Sequence, residues 1–217
     1  MTTAGALKFD TIETGLLEAN CCIVGNPATG NYIVSDVGGD VADVVKKAKS
    51  LGFTTCVGIF FTHGHFDHIG GAAEMKKVTN APIYLHEKDV ELYNMVEKQC
   101  KSFRVPSVGT LPPVDVALKE GDVVKLDEFE GKIIHTPGHS PGSCCLFFEK
   151  EKLLINGDTL FKGSFGRTDL WGGSMKELKE SIKGKLFVLP EETVVITGHG
   201  PNTTIGREKI SNMIKHY

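Results

Sequence analysis

CVGIFFTHGHFDH, residues 56–68, joins an apolar run to a dense cluster of imidazoles with one carboxylate. The run Cys56–Phe61 predicts a buried β-strand, because it is short, apolar and rich in aromatic and β-branched side chains. Loops at strand ends often carry binding and catalytic residues, because the sheet fixes the strand ends while the loops stay adaptable. The loop after this strand offers four potential metal ligands: His63, His65, Asp67 and His68.

Three further apolar runs end in the same way. Lys132–His135 runs into TPGHS, Leu153–Asn156 into GDT and Val194–Thr197 into GHG, and each run predicts a strand. Each polar segment adds one donor side chain, and these are His139, Asp158 and His199. Because neutral imidazole and carboxylate oxygen suit Zn²⁺, and also iron and manganese, the seven side chains together predict a metal site.

The number of donors predicts two metal ions. Seven donors exceed what one tetrahedral ion can use, so we expect two divalent cations, with zinc preferred and iron or manganese as alternatives. Side chains two apart in an extended segment share a face, so His63 and His65 can bind one ion together. Asp67 and His68 fall where the chain turns into a helix, and they can point to a second ion.

The rest of the chain alternates β-type runs with helical patterns, which predicts helices packed outside layers of strands. At 217 residues, the chain is within reach of one α/β domain, so we expect residues 1–217 to form a single domain. The other predicted strands cover residues 21–24, 32–35, 82–86, 123–126 and 145–148. The predicted helices cover residues 41–51, with Asp40 as the N-cap, and residues 70–79, 89–101, 175–183 and 207–215.

Composition narrows the class of partner. With 24 Lys and Arg against 27 Asp and Glu, the net charge is −3, so we expect neither nucleic acid nor an anionic membrane as a partner. The first residues, MTTAGALKFD, lack the basic start and apolar run of a secretory signal. None of the six cysteines forms a C-x-x-C pair, which favours buried, reduced thiols and a cytoplasmic location.

The motifs THGHFDH, TPGHSPGS, INGDTLF and TGHGPNTTIG occur in this order along the chain. In this respect the sequence resembles the metallo-β-lactamase superfamily. The resemblance implies an α/β (α+β) fold, a four-layer αββα sandwich with the metals at one edge between the two sheets. It also implies a role for each donor: His63, His65 and His139 on the first metal, Asp67, His68 and His199 on the second, and Asp158 as the bridge.

Within the superfamily the sequence is most similar to the glyoxalase II group, the hydroxyacylglutathione hydrolases. TPGHSPGS, GDTLF and GSFGRTDL carry this likeness. True β-lactamases of the fold usually have Cys at the position of Asp158, and the chain differs from them there. Since it ends soon after His199, it resembles the short form without the C-terminal helical domain of the longer glyoxalase II enzymes.

The resemblance implies a metal-dependent hydrolase acting on a small-molecule thioester or ester, such as a hydroxyacylglutathione. A water bridging two cations is expected to lose its proton near neutral pH and to attack the carbonyl as hydroxide. We expect Asp67 to be the catalytic residue that orients this hydroxide or accepts a proton. Three alternatives stay open: a persulfide dioxygenase with one iron, a lactonase of the same fold, and a metal-binding module that is not an enzyme.

The loop SFGRTDLWGG offers two candidate substrate-binding residues. Arg167 can pair with an anionic end of the substrate, although a lock on the loop through Asp169 is the favoured interpretation. Trp171, the single tryptophan, can line a substrate pocket or pack on the surface. Phe66 is expected to pack under the site, and the three histidines outside the donor set are expected to have structural or solvent roles: His86, His135 and His216.

Overall fold

The computed structural model describes residues 7–217 and contains two six-stranded sheets packed against each other, with helices on the outer faces. The expected four-layer αββα sandwich is confirmed.

The first sheet is formed by the amino-terminal half of the described chain. Its six strands lie in chain order. The first three pair in antiparallel fashion, and the third to the sixth pair in parallel. They are β1 (Lys8–Thr14), β2 (Ala19–Gly25), β3 (Asn31–Ser35), β4 (Thr55–Phe60), β5 (Ile83–His86) and β6 (Val116–Leu118). The parallel strands β3, β4 and β5 therefore end at the same edge of this sheet.

The second sheet follows in sequence. It contains β7 (Val123–Leu126), β8 (Phe129–His135), β9 (Cys144–Phe148) and β10 (Leu153–Gly157), and, after a small β11 (Leu160–Phe161) and β12 (Ser164–Phe165) hairpin, β13 (Val194–Thr197) and β14 (Thr203–Thr204). Strand β9 is antiparallel to both β8 and β10, and β10 is parallel to β13. Strands β8, β10 and β13 thus run in the same direction, and their carboxyl ends share one edge.

Helices connect the strands and cover the sheets. They are α1 (Val41–Ser50), α2 (Phe66–Ile69), α3 (Ala72–Thr79), α4 (Val90–Asn94), α5 (Val96–Phe103), α6 (Met175–Ser181) and α7 (Ile205–Ser211). The helix predicted over residues 89–101 is thus two helices, separated at Met95. Asp40 precedes α1 as predicted, but its side chain does not cap the helix. It accepts a hydrogen bond from the backbone N–H of Gly15 instead (2.8 Å).

Three apolar layers hold the sandwich together. The middle layer lies between the sheets and joins Ile33 and Phe60 to residues such as Leu146 and Ile155. The outer layers pack helices onto each sheet, because alternate strand residues point to opposite faces. All six cysteines are buried and free, as predicted. Among the described residues, no helix has the length and apolar character needed to span a membrane.

Candidate metal centre

The structure brings the seven predicted donor side chains together where β4, β8, β10 and β13 end. Their ligand atoms fall into groups whose members lie within 4.8 Å of one another. The cluster is set into the protein, since the donor imidazoles are buried apart from that of His199, which is 28% exposed.

The first group consists of His63, His65 and His139. His65 Nδ1 lies 2.9 Å from His139 Nε2, and the three rings meet edge to face. His63 and His65 flank Gly64 in the loop after β4, so the spacing of two places both on one side, as the sequence predicts.

The second group consists of Asp67, His68 and His199. Asp67 and His68 lie on the single turn of α2, which begins directly after His65. Asp67 Oδ2 is 3.3 Å from His199 Nε2 and 3.5 Å from His68 Nε2. The loop after β4 thus supplies ligand atoms to both groups.

Asp158 lies between the two groups. Its Oδ2 is 3.6 Å from His139 Nε2 in the first group, and its Oδ1 is 3.5 Å from His68 Nε2 in the second. Its Oδ2 also lies 3.8 Å from His199 Nε2 in the second group. The carboxylate therefore contacts imidazoles of both groups, which is the position that a bridging ligand needs.

The donor set fits a metal centre by two tests. His63 Nε2 and Asp158 Oδ1 are buried and have no hydrogen-bond partner among the described residues. Buried polar atoms rarely lack partners, so such a group within a donor cluster calls for an explanation, and a cation supplies one. Metal–ligand distances of about 2.0–2.2 Å place two ligands of a tetrahedral ion about 3.3–3.6 Å apart, close to the separations found here.

Partners of the ring nitrogens orient three of the imidazoles. His63 Nδ1 lies 3.0 Å from the hydroxyl of Thr62, and His139 Nδ1 donates to the backbone carbonyl of Arg167 (2.8 Å). His68 Nδ1 faces Asp36 Oδ2 at 3.5 Å. Such contacts fix ring orientation and leave the opposite nitrogen, Nε2, pointing into the cluster.

The cluster also shifts the pKa values of its members. Burial lowers the pKa of His63 and brings that of His65 to about 3, and the neighbouring imidazoles add to both shifts. Burial also opposes protonation of His68, but the carboxylates of Asp67 and Asp158 outweigh it and raise its pKa to about 10. The first two imidazoles are therefore neutral at pH 7, while the carboxylates draw positive charge into the cluster.

Asp89 links the loops that carry His65 and His139, a role that the sequence analysis missed. Its carboxylate is fully buried and accepts hydrogen bonds from the backbone N–H of Gly64 (2.8 Å), the backbone N–H of Gly142 (2.5 Å) and the hydroxyl of Ser140 (2.6 Å). Burial raises its pKa despite these donors. No sequence signal distinguishes Asp89 from an ordinary acid at a helix start.

Gln99, on α5, holds the first loop from the other side, and it was also missed. Its amide nitrogen donates to the carbonyls of Gly64 (2.9 Å) and Leu92 (2.8 Å), and its amide oxygen accepts from the N–H of Phe66 (3.0 Å). The backbone on both sides of His65 is thereby fixed.

An open pocket of about 410 Å³ lies over the cluster. Phe66 is buried, packs against Phe103 with ring centroids 5.1 Å apart, and also lines this pocket. Arg167 lines it too, and forms a bidentate ion pair with Asp169 (2.7 and 2.8 Å). Trp171 lines a neighbouring groove and is half exposed. Substrate binding by Arg167 and Trp171 stays a prediction.

The other histidines lie outside the donor cluster. His86 and His135 are buried and stack on each other, with ring centroids 4.1 Å apart and an angle of 10° between the planes. His216 is exposed near the end of the chain.

Residues 14–199 match the family model of the metallo-beta-lactamase superfamily. The chain belongs to this superfamily. Its members are generally metal-dependent hydrolases. An uncharacterised protein of Aquifex aeolicus is 41% identical over 93% of each chain. The hydroxyacylglutathione hydrolase GloC of Haemophilus influenzae is 33% identical over 95% of this chain and 97% of its own, which is consistent with a short glyoxalase II-like member.

Solved structures agree with this placement. The BLEG-1 B3 metallo-beta-lactamase has a TM-score of 0.88 at 35% identity, covering 95% of this chain and 98% of its own. TTHA1623, crystallised in a di-iron-bound form, has a TM-score of 0.84 at 33% identity, with coverage of 94% and 98%. ETHE1 from Myxococcus xanthus has a TM-score of 0.77 at 25% identity, with coverage of 95% and 83%.

Proposed function

We propose that the protein is a dinuclear metal-dependent hydrolase that cleaves a thioester or a related ester. The observation that carries this proposal is the position of Asp158, between two groups of donors that can each hold one ion. A site of this kind at the base of an open pocket gives a small substrate direct access to the ions. GloC supports hydroxyacylglutathione as the first substrate to test.

His63, His65 and His139 would hold the first ion, Asp67, His68 and His199 the second, and Asp158 would contact both. Bound cations would supply acidified water and positive charge opposite the carbonyl oxygen. We propose zinc, because imidazole and carboxylate suit it, with iron and manganese as the alternatives.

Asp67 is proposed as the residue that orients the attacking water. Its side chain lines the pocket and is 10% exposed. Burial would raise its pKa, but the charges and hydrogen bonds of His68 and His199 outweigh this and hold it below the ordinary value. A carboxylate that stays ionised accepts a hydrogen bond from water and fixes its direction. Water then adds to the carbonyl carbon, the C–S bond breaks, and the proton released from the water ends on the thiolate.

A persulfide dioxygenase is the second candidate, favoured by the likeness to ETHE1 and by the GRTD segment at residues 166–169. Such an enzyme uses one iron held by two histidines and one aspartate, whereas seven donors converge here. The lactonase alternative uses the same donors as the proposed thioesterase, and a metal-binding module would have no turnover.

The test begins with the metal content of protein purified without added metal. We expect two ions per chain and hydrolysis of S-D-lactoylglutathione that stops on chelation and returns when metal is added. His139→Ala should lose this activity, while His216→Ala, an exposed histidine outside the cluster, should keep it. One iron per chain with oxygen consumption on glutathione persulfide would replace the proposal with the dioxygenase, and lactone hydrolysis without thioester hydrolysis would replace it with the lactonase.

A further inference from the structure

Exposed apolar side chains surround the mouth of the candidate metal centre. Large apolar side chains are costly to leave in water, and a group of them beside a concave site marks a binding surface. Leu17 and Phe103 line the pocket over the cluster, while Leu16 and Trp171 line the two pockets beside it. Between 40% and 65% of the surface of each of these four side chains is exposed.

The pocket beside Trp171 continues the one over the metal centre. Both are lined by His65, Phe103 and Leu170, so a molecule can extend from one into the other across these side chains. This second pocket, here called the Trp171 groove, has a volume of about 390 Å³. Its apolar walls are Leu92, Met95, Phe103, Leu170 and Trp171.

Two charged residues, Lys98 and Asp169, also line the Trp171 groove, but their charged groups have other partners or lie in water. The carboxylate of Asp169 is held in the bidentate ion pair with Arg167. Lys98 is exposed, and a lysine side chain can line a groove with its methylenes while its ammonium stays in water.

We propose that the Trp171 groove binds an apolar acyl chain of the substrate, and that the enzyme prefers acyl groups longer than acetyl. The inference rests on the proposed function, since it places the thioester carbonyl at the metal centre and the acyl chain across Phe103 towards Trp171. The thiol part of the substrate then lies in the remainder of the first pocket.

The test is a series of thioesters with one neutral thiol, N-acetylcysteamine, carrying acetyl, butyryl and hexanoyl groups. Full burial of one methylene is worth about fourfold in binding. Because Phe103 and Trp171 are 40% and 50% exposed, we expect about half of that free energy, about twofold per methylene. The ratio kcat/KM should therefore rise about tenfold or more from acetyl to hexanoyl.

Trp171→Ala should flatten this dependence, because the longer chains lose an apolar wall of the groove, so that the ratio of kcat/KM for hexanoyl to kcat/KM for acetyl within the variant falls towards one. Ile210→Ala is the matched control, since Ile210 is an exposed apolar residue that lines neither pocket. A series without dependence on chain length would overturn the proposal. So would a Trp171→Ala variant with the slope of the wild type.

Binding can be measured without turnover, because Trp171 is the single tryptophan. The thioether S-hexyl-N-acetylcysteamine should change the tryptophan emission at concentrations where S-methyl-N-acetylcysteamine does not. If no thioester is hydrolysed, the thioesterase function fails, and this titration alone decides whether the groove binds an apolar chain. Equal responses to the two thioethers would overturn the groove as well.

Discussion

Asp67 and Asp158 are two carboxylates in one cluster of imidazoles, but their contacts differ. Asp158 contacts imidazoles of both donor groups. Asp67 pairs with two imidazoles of the cluster, those of His68 and His199, and both belong to the second group. Loss of Asp158 would therefore affect both ions, whereas loss of Asp67 leaves the first donor group complete.

Asp67→Ala should lower kcat by about 10²–10⁴, the usual contribution of a group that positions or transfers a proton. The fold should survive, because this side chain lies at the pocket surface and not in an apolar layer. Turnover and metal content of the purified variant, with circular dichroism for the fold, check this expectation. Near-normal turnover of the metal-loaded variant would remove the assigned role.

Asp89→Asn should weaken binding of the first metal about 10–100-fold, the range found when partners around metal ligands are changed. The amide replaces one acceptor oxygen with a donor, so a buried donor from Gly64, Gly142 or Ser140 loses its partner, at a cost of about 1–3 kcal/mol. Chelator competition measures the affinity, and urea unfolding measures the stability.

Asp115→Asn is the control for this variant. Asp115 also accepts a backbone N–H, that of Ile83 (2.8 Å), but it does not bond to either loop that carries the first metal's ligands. Equal metal affinity in Asp89→Asn and Asp115→Asn would show that Asp89 does not position the first group.

Single residues also show how far the sequence can predict the site. All seven donors were found because each follows an apolar strand. Asp36 follows β3 in the same way, so a signal for its contact with His68 was present. Asp89 and Gln99 gave no such signal, because their roles depend on which loops meet in space.

At the level of elements, the parallel strands β10 and β13 bring their ends so close that a glycine is required. A Cβ on Gly198, just after β13, would lie 1.9 Å from Asp158 Oδ1 and 2.9 Å from the carbonyl carbon of Gly157. Both atoms belong to the end of β10 and the loop after it, so neither can move without disturbing the candidate bridging ligand.

Gly198→Ala should therefore displace Asp158 and reduce both metal content and turnover, even though the change adds a single methyl group. Gly184→Ala serves as its control, because among the described residues a Cβ there meets nothing within 4 Å beyond its chain neighbours and its own helix backbone. Metal analysis and melting temperature compare the two. Two ions per chain in Gly198→Ala would contradict the close approach inferred at this position.

Element boundaries were less predictable than the elements themselves. Strand β1 escaped prediction because its residues are largely exposed or half-buried and polar, and β6 has three residues, of which two are exposed. The break at Met95, whose backbone leaves the helical region at φ −89° and ψ 12°, is a local departure that helical periodicity does not contain.

At the level of the whole molecule, a pair of stacked imidazoles connects the two sheets. His86 ends β5 in the first sheet, and His135 ends β8 in the second. His86 Nδ1 accepts from the N–H of Lys88 (3.3 Å), and His135 Nε2 donates to the carbonyl of Pro141 (2.9 Å), contacts that neutral rings can make. The sequence indicated a structural role for each, but the pairing follows from the packing of the sheets.

The stacked pair should make stability depend on pH. Burial, and then repulsion by His135, lowers the pKa of His86 to about 4, and burial also lowers that of His135. The unfolded chain, with histidine pKa values near 6.5, binds more protons than the folded protein below that pH. The stabilisation is thus complete above pH 6.5 and is lost as the pH falls towards 4.

Between pH 7 and pH 5, His86 alone should reduce the free energy of unfolding by about 2 kcal/mol. His86→Asn keeps an acceptor for Lys88 but removes the titrating ring, so its unfolding free energy should fall less over the same interval. Urea unfolding of both proteins at the two pH values measures the difference. Protonation of the metal-centre imidazoles affects both proteins alike. Equal losses of unfolding free energy in the wild type and in His86→Asn would therefore show that titration of His86 does not contribute to the pH dependence of stability.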